Sequence, residues 1–326
     1  MYSPNGMMKL KAKQALQNNW QVALLVCFVA SLPGIIGQVV SILTGGDFAT
    51  RLAQGMNVML GELSTGVIPA DLEQYLVTTL TAQFDQTFVI SAVVSLVMAV
   101  ITPVLMLGMW KYLFGLLRGQ SGELTDVFSR IGLFFKAIGL DLLVALKIVL
   151  WGLPGVALLY GGSWLSATIL AGMESATVET ALSMFSVLTN ASYIAIFVPV
   201  IMATFRYAMA VYHLADNPAA RLRDCVAESK ELMKHRKMSL FSLQLSFIGW
   251  HLLISLINML LQSMFGYVIG ATVQMFLTLA LTLYMETSIC CFYLVAKNPE
   301  QVGFRRVQIP YPQPEKPVDG DDNQLN

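Results

Sequence analysis

Charge is scarce in this chain. Of its 326 residues only 12% are charged, about half the roughly 25% of an ordinary soluble domain. The little charge there is has no net sign, because 20 Lys and Arg face 20 Asp and Glu. That removes the basic excess on which nucleic-acid binding draws, and no nucleic-acid partner is expected. Cysteine is scarcer still. Cys27, Cys225, Cys290 and Cys291 stand at no paired CxxC spacing and three of them lie in apolar runs, so neither a disulfide scaffold nor a zinc site is indicated. The three histidines have no thiols or carboxylates at ligand spacing beside His235 or His251, and no metal is assigned. Catalytic signatures are missing too: there is no GxSxG, no HExxH and no glycine-rich phosphate loop ending in Lys-Ser or Lys-Thr. No catalytic residue and no cofactor is therefore assigned.

What the chain has is hydrophobic length, with 56% of its residues apolar. A membrane helix needs about 20 mostly apolar residues, and six runs qualify: about Trp20 to Leu43, Thr87 to Gly108 (apolar onward to Leu117), Ala137 to Tyr160, Ser192 to Leu214, Leu240 to Leu261 and Tyr267 to Val295. The first is too long for the apolar core of a cleaved leader, about 7–15 residues. Val26 before Cys27 also breaks the lipoprotein pattern.

Lys and Arg set the orientation, since cytoplasmic loops retain them. Lys9, Lys11 and Lys13 precede the first run. Lys111, Arg118, Arg130 and Lys136 separate the second from the third. Arg221, Arg223, Lys230, Lys234, Arg236 and Lys237 separate the fourth from the fifth, and Lys297, Arg305, Arg306 and Lys316 follow the sixth. The other connections carry only Arg51 against seven acidic residues, Asp47 to Glu179. The expectation is an all-α, polytopic bundle of six transmembrane helices with both termini cytoplasmic.

Three amphipathic segments are expected on the cytoplasmic surface. Glu123 to Lys136 places Leu124, Val127, Phe128, Ile131, Phe134 and Phe135 on one helical stripe. A second helix is expected from Pro218, capped by Asn217, to about His235, with Leu222, Cys225, Val226 and Met233 on its apolar side. Met7 to Leu16 is the third. The chain then divides into three two-span units, about 1–120, 121–215 and 216–296, within one membrane domain 1–296. Outer segments 44–86 and 161–191 have room for helices of their own, around Thr50 to Leu63 and Asp71 to Gln83. The tail 297–326, with Pro310, Pro312, Pro314 and Pro317 before Asp319, Asp321 and Asp322, has the composition of a disordered segment.

Four stretches carry a family resemblance: Arg206-Tyr207-Ala208-Met209, then Leu214-Ala215-Asp216-Asn217-Pro218, then Glu228 to Met233, then Leu245 to Trp250. Together with Cys291-Phe292-Tyr293 they resemble the bacterial membrane family called domain of unknown function 975. Lys234, His235, Arg236 and Lys237 stand where that family shows Gly-His-Lys, and Gln244 stands for a usual Asp. The resemblance implies an integral membrane protein of bacteria, in the plasma membrane, and brings no catalytic residues with it.

Ionisable groups inside membrane spans are costly and mark candidate sites. Counted inward from the cytoplasmic ends, Lys147, His251 and Glu286 lie roughly 15 Å deep and Arg206 about 12 Å, with Asp141 about one turn in. Lys147 and Glu286 are placed to pair, leaving Arg206 and His251 toward a polar cavity that favours an anionic guest. The alternative is a pair that fixes helix register while Arg206 snorkels to the interface. His213 and Asp216, at i, i+3, read as a helix C-terminus beside a capping sequence. The functional expectation is a non-enzymatic protein that binds or moves a small amphiphile, lipid or peptide through Lys147, Arg206, His251 and Glu286. The alternative is an accessory or scaffold subunit whose basic surface helices meet membrane lipids or a membrane-protein partner.

Overall fold

The computed structural model describes residues 4–43, 86–171, 178–298 and 300, and every regular element among them is helical. Nine α-helices follow in chain order: α1 (Pro4–Leu16), α2 (Trp20–Leu43), α3 (Gln86–Leu117), α4 (Phe134–Ala171), α5 (Val178–Tyr207), α6 (Ala210–Asp216), α7 (Leu222–Leu232), α8 (Lys237–Phe265) and α9 (Tyr267–Lys297). A 3₁₀ segment, Leu124–Leu133, joins α3 to α4. The segments around Thr50 to Leu63 and Asp71 to Gln83, and the tail from Ile309, lie outside the described residues.

Five helical stretches are long and apolar enough to cross a membrane: Trp20–Val40, Val89–Leu117, Tyr193–Asp216, Lys237–Phe265 and Tyr267–Lys297. The expected third span, Ala137 to Tyr160, falls wholly inside α4, which is not one of the five. At 38 residues α4 is about 57 Å long, nearly twice the roughly 30 Å hydrocarbon thickness. Its excess carries residues 161–171 as continuous helix, and α5 supplies helix from Val178 on the return. Large side chains such as Leu96, Leu146, Val149, Leu252 and Met264 point outward. Apolar surface on that scale is what lipid covers and water does not tolerate, and the protein is a membrane protein.

The packed core gathers at one end of the bundle. Leu107, Leu113 and Phe114 of α3, Leu214 of α6, Met233 after α7 and Ile289 to Ala296 of α9 are all buried there. Small residues allow the closest approaches, as expected where lipid supplies no hydrophobic drive between helices. Gly108 lets the backbone of Val127 lie directly on α3, and Gly155 does the same for Ala195 and Ile196 where α4 meets α5.

The surface segments differ from expectation in three ways. Glu123 to Lys136 is 3₁₀ helix, then the start of α4; of its stripe only Val127 is buried, while Phe128, Ile131 and Phe135 face outward. The second amphipathic helix starts at Leu222 with Arg221 before it, because Asn217 to Ala220 form a turn instead of a cap and first turn. Its apolar side, Cys225, Val226, Leu232 and Met233, packs into the protein. In α1 the buried positions are Met8 and Ala12, not Leu10, and the helix is tied to α8 and α9. Asn5 Nδ2 donates to Ser242 Oγ at 3.1 Å and the Tyr284 hydroxyl donates to the Lys9 carbonyl at 3.2 Å.

Candidate functional site

The fourth expected span is not one helix. α5 ends at Tyr207, and α6 begins at Ala210 after two residues of turn. A break inside a span frees backbone groups that must be satisfied within the protein. Ser229, fully buried on α7, does this from both sides: its hydroxyl donates to the Arg206 carbonyl at 3.0 Å and accepts from the Met209 N–H at 3.2 Å. The last turn of α5 is thereby fixed where Arg206 projects.

Arg206 and Lys147 meet one aromatic neighbourhood. A cavity of about 250 Å³ is lined by Lys147, Leu150, Trp151, Pro154 and Tyr207. The Arg206 guanidinium lies 5.9 Å from the centre of the Trp151 ring, and the Lys230 ammonium lies 5.9 Å from that of Tyr207. Both distances are within the reach of cation–π attraction. Among the described residues no carboxylate lines the cavity, and neither Lys147 nor Arg206 forms an ion pair.

Glu286 is elsewhere. Buried near the middle of α9, it accepts two hydrogen bonds on one oxygen, from Trp110 Nε1 and from the Tyr212 hydroxyl, each at 2.9 Å. The two donor rings pack at 4.6 Å between centroids. Glu286 thus has neutral donors from α3 and α6 in place of the expected Lys147. His251 is half-buried on α8 between exposed Trp250 and Leu252, and no hydrogen bond joins it to the other three among the described residues. The structure therefore brings Lys147 and Arg206 together and leaves Glu286 and His251 in separate surroundings.

A second polar cluster ties the packed end. Asp216, at the close of α6, receives Arg118 Nη2 and Lys297 Nζ, each at 2.7 Å. The Tyr293 hydroxyl joins His213 Nδ1 at 3.2 Å and Asp216 at 3.3 Å, so the i, i+3 pair is linked through a tyrosine. Arg130 donates to the Ala215 carbonyl and Lys136 to that of Pro218, each at 2.9 Å. Cations at a helix C-terminus satisfy carbonyls that lack intrahelical donors. The sequence shows these basic residues as cytoplasmic loop charges and carries no signal for Tyr293 as a buried partner of Asp216 and Lys297, or for Trp110 and Tyr212 as partners of Glu286.

Outside the spans, burial opposes ionisation of Asp126, but hydrogen bonds from Lys111 Nζ (2.9 Å) and the Glu123 N–H (3.0 Å) outweigh it and hold the carboxyl below its usual range. Burial, with Asp224 next to it, pushes the Cys225 thiol up, which makes it a packing group and not a nucleophile. All four cysteines are free and buried.

Comparison with curated proteins and with solved structures finds no match. The profile of one family, described as protein of unknown function (DUF975), matches residues 1–299. That range takes in the Asp216 cluster, the break sealed by Ser229 and the Lys147 cavity, and the chain belongs to this family.

Proposed function

We propose that this chain is a non-enzymatic, multi-pass protein of the bacterial plasma membrane that binds a small anionic amphiphile in the Lys147 cavity. α4 supplies the third of six spans, and the basic, packed end lies on the cytoplasmic side with both termini. The observation that carries the reading is the cavity itself: Lys147, Trp151 and Tyr207 line it, Arg206 stands over Trp151, and among the described residues no carboxylate neutralises them. Uncompensated cations within a span are costly and call for a counter-charge. A lipid phosphate or an acyl carboxylate supplies it, while Leu150, Trp151 and Pro154 accept the apolar body. Pro154 cannot donate to the Leu150 carbonyl one turn back, so α4 can flex at the cavity wall if the guest is moved as well as held.

Native mass spectrometry of protein gently extracted from its own membrane tests this. Wild type retains a stoichiometric anionic lipid or small anion, and Lys147→Met or Arg206→Leu loses it while the protein stays folded. Retention unchanged in both variants overturns the site.

A second reading, an accessory subunit, draws on α7. Its apolar side is used up inside the protein while Arg221 and Arg223 remain exposed. A stoichiometric protein partner retained with an empty cavity, and released by neutralising Arg221 and Arg223, favours that role.

A further inference from the structure

A larger cavity, about 350 Å³, opens between α3, α4 and α6, within the roughly 300–1,000 Å³ typical of small-molecule sites. Met106, Leu107, Leu140 and Leu214 make its walls apolar. Its few polar groups share one character. The Thr102 hydroxyl is engaged by the Met98 carbonyl at 2.6 Å, and the Trp110 N–H by Glu286. Neither donor is left for a guest. Asp141 lines the cavity half-buried and makes no hydrogen bond or ion pair among the described residues. Lys136 and Arg130, the cations nearest to it in sequence on the packed end, are committed to the carbonyls of Pro218 and Ala215. Pro103 has no N–H for the Ala99 carbonyl one turn back, and both residues line the same cavity. What remains is a carboxylate beside apolar walls, so a complementary guest brings a positive charge and a hydrocarbon body.

We propose that this cavity is a second binding site, for the ammonium end of a primary alkylamine. The ammonium meets Asp141, and the chain lies along Met106, Leu140 and Leu214 toward Ala99. An aminophospholipid headgroup and a free long-chain amine both present this chemistry. The site is separate from the Lys147 cavity and of opposite sign.

Calorimetric titration of the full-length protein in neutral detergent with dodecylammonium is the test. Wild type binds it. Asp141→Asn, nearly isosteric, weakens binding at least about tenfold through loss of a charge-assisted hydrogen bond. Ala99→Phe fills the cavity from an exposed position while leaving the carboxylate in place, so it keeps the test intact if the Asp141 variant does not fold; it weakens binding as strongly. Lys147→Met leaves dodecylammonium binding unchanged, which separates this site from the anionic one. Wild-type affinity in both Asp141→Asn and Ala99→Phe overturns the proposal, as does equal competition by laurate. Displacement by short-chain phosphatidylethanolamine assigns the ammonium to a lipid, and absence of displacement assigns it to a free amine; either result upholds the ammonium chemistry.

Discussion

The hydroxyl of Ser229 donates to the carbonyl of Arg206 at 3.0 Å, so a helix on the packed end sets the position of a cation inside a span. Ser229→Ala removes this bond and leaves the buried Met209 N–H without its acceptor. A buried backbone group left unsatisfied costs about 1–3 kcal/mol. The expected result is a lowered unfolding temperature in detergent, together with weaker retention of the anion proposed for the Lys147 cavity. An unchanged melting temperature shows that water or a backbone shift replaces the hydroxyl.

Gly108→Ala tests the contact between α3 and the 3₁₀ segment. A methyl group there overlaps the Val127 carbonyl, which is backbone and cannot swing aside as a flexible side chain does. Overpacking of this kind costs about 1–3 kcal/mol, occasionally more. Protease accessibility of residues 124–133 rises in this variant. Substitution of exposed Gly132, where nothing lies within reach of a new Cβ, serves as the control and leaves accessibility unchanged.

The same segment responds to pH through Asp126. Its folded-state carboxyl titrates below the unfolded one, so the stabilisation is complete above the ordinary carboxylate range and is lost as pH falls through the depressed folded value. Hydrogen-exchange protection of residues 124–133, corrected for intrinsic rate, falls between about pH 5 and about pH 3 in wild type. Asp126→Asn is expected to show lower protection that no longer varies over this interval. A wild-type profile that stays flat down to the lower limit removes Asp126 from this role.

The long apolar runs announced the helices because lipid demands an unbroken hydrophobic stretch, and that demand is written in composition. Trp20 and Tyr267 start helices where the runs start. What composition does not encode is which face of a helix meets protein. Arg236 illustrates this: it stands in the basic run between the fourth and fifth apolar runs, yet it is 2% exposed and donates to the Ala296 carbonyl at 3.1 Å. His235, one residue before it, adopts a positive φ of 62°, a backbone state an L residue occupies at a cost. Of the expected site, Lys147 and Arg206 were conspicuous in the sequence because each is a charge among hydrophobes. The partners of Glu286 were not, because Trp110 and Tyr212 look like ordinary span residues until α3 and α6 bring their polar atoms to one carboxylate oxygen.

The hydrogen bond from Tyr284 to the Lys9 carbonyl joins residues 275 positions apart. A ribosome delivers Lys9 long before Tyr284, so α1 spends most of synthesis without its native neighbour on α9. Its cations Lys9, Lys11 and Lys13 suit a stay at an anionic membrane surface in that interval. The docking of α1 on α9 is therefore a late event in time, open only once the helices between them have been made.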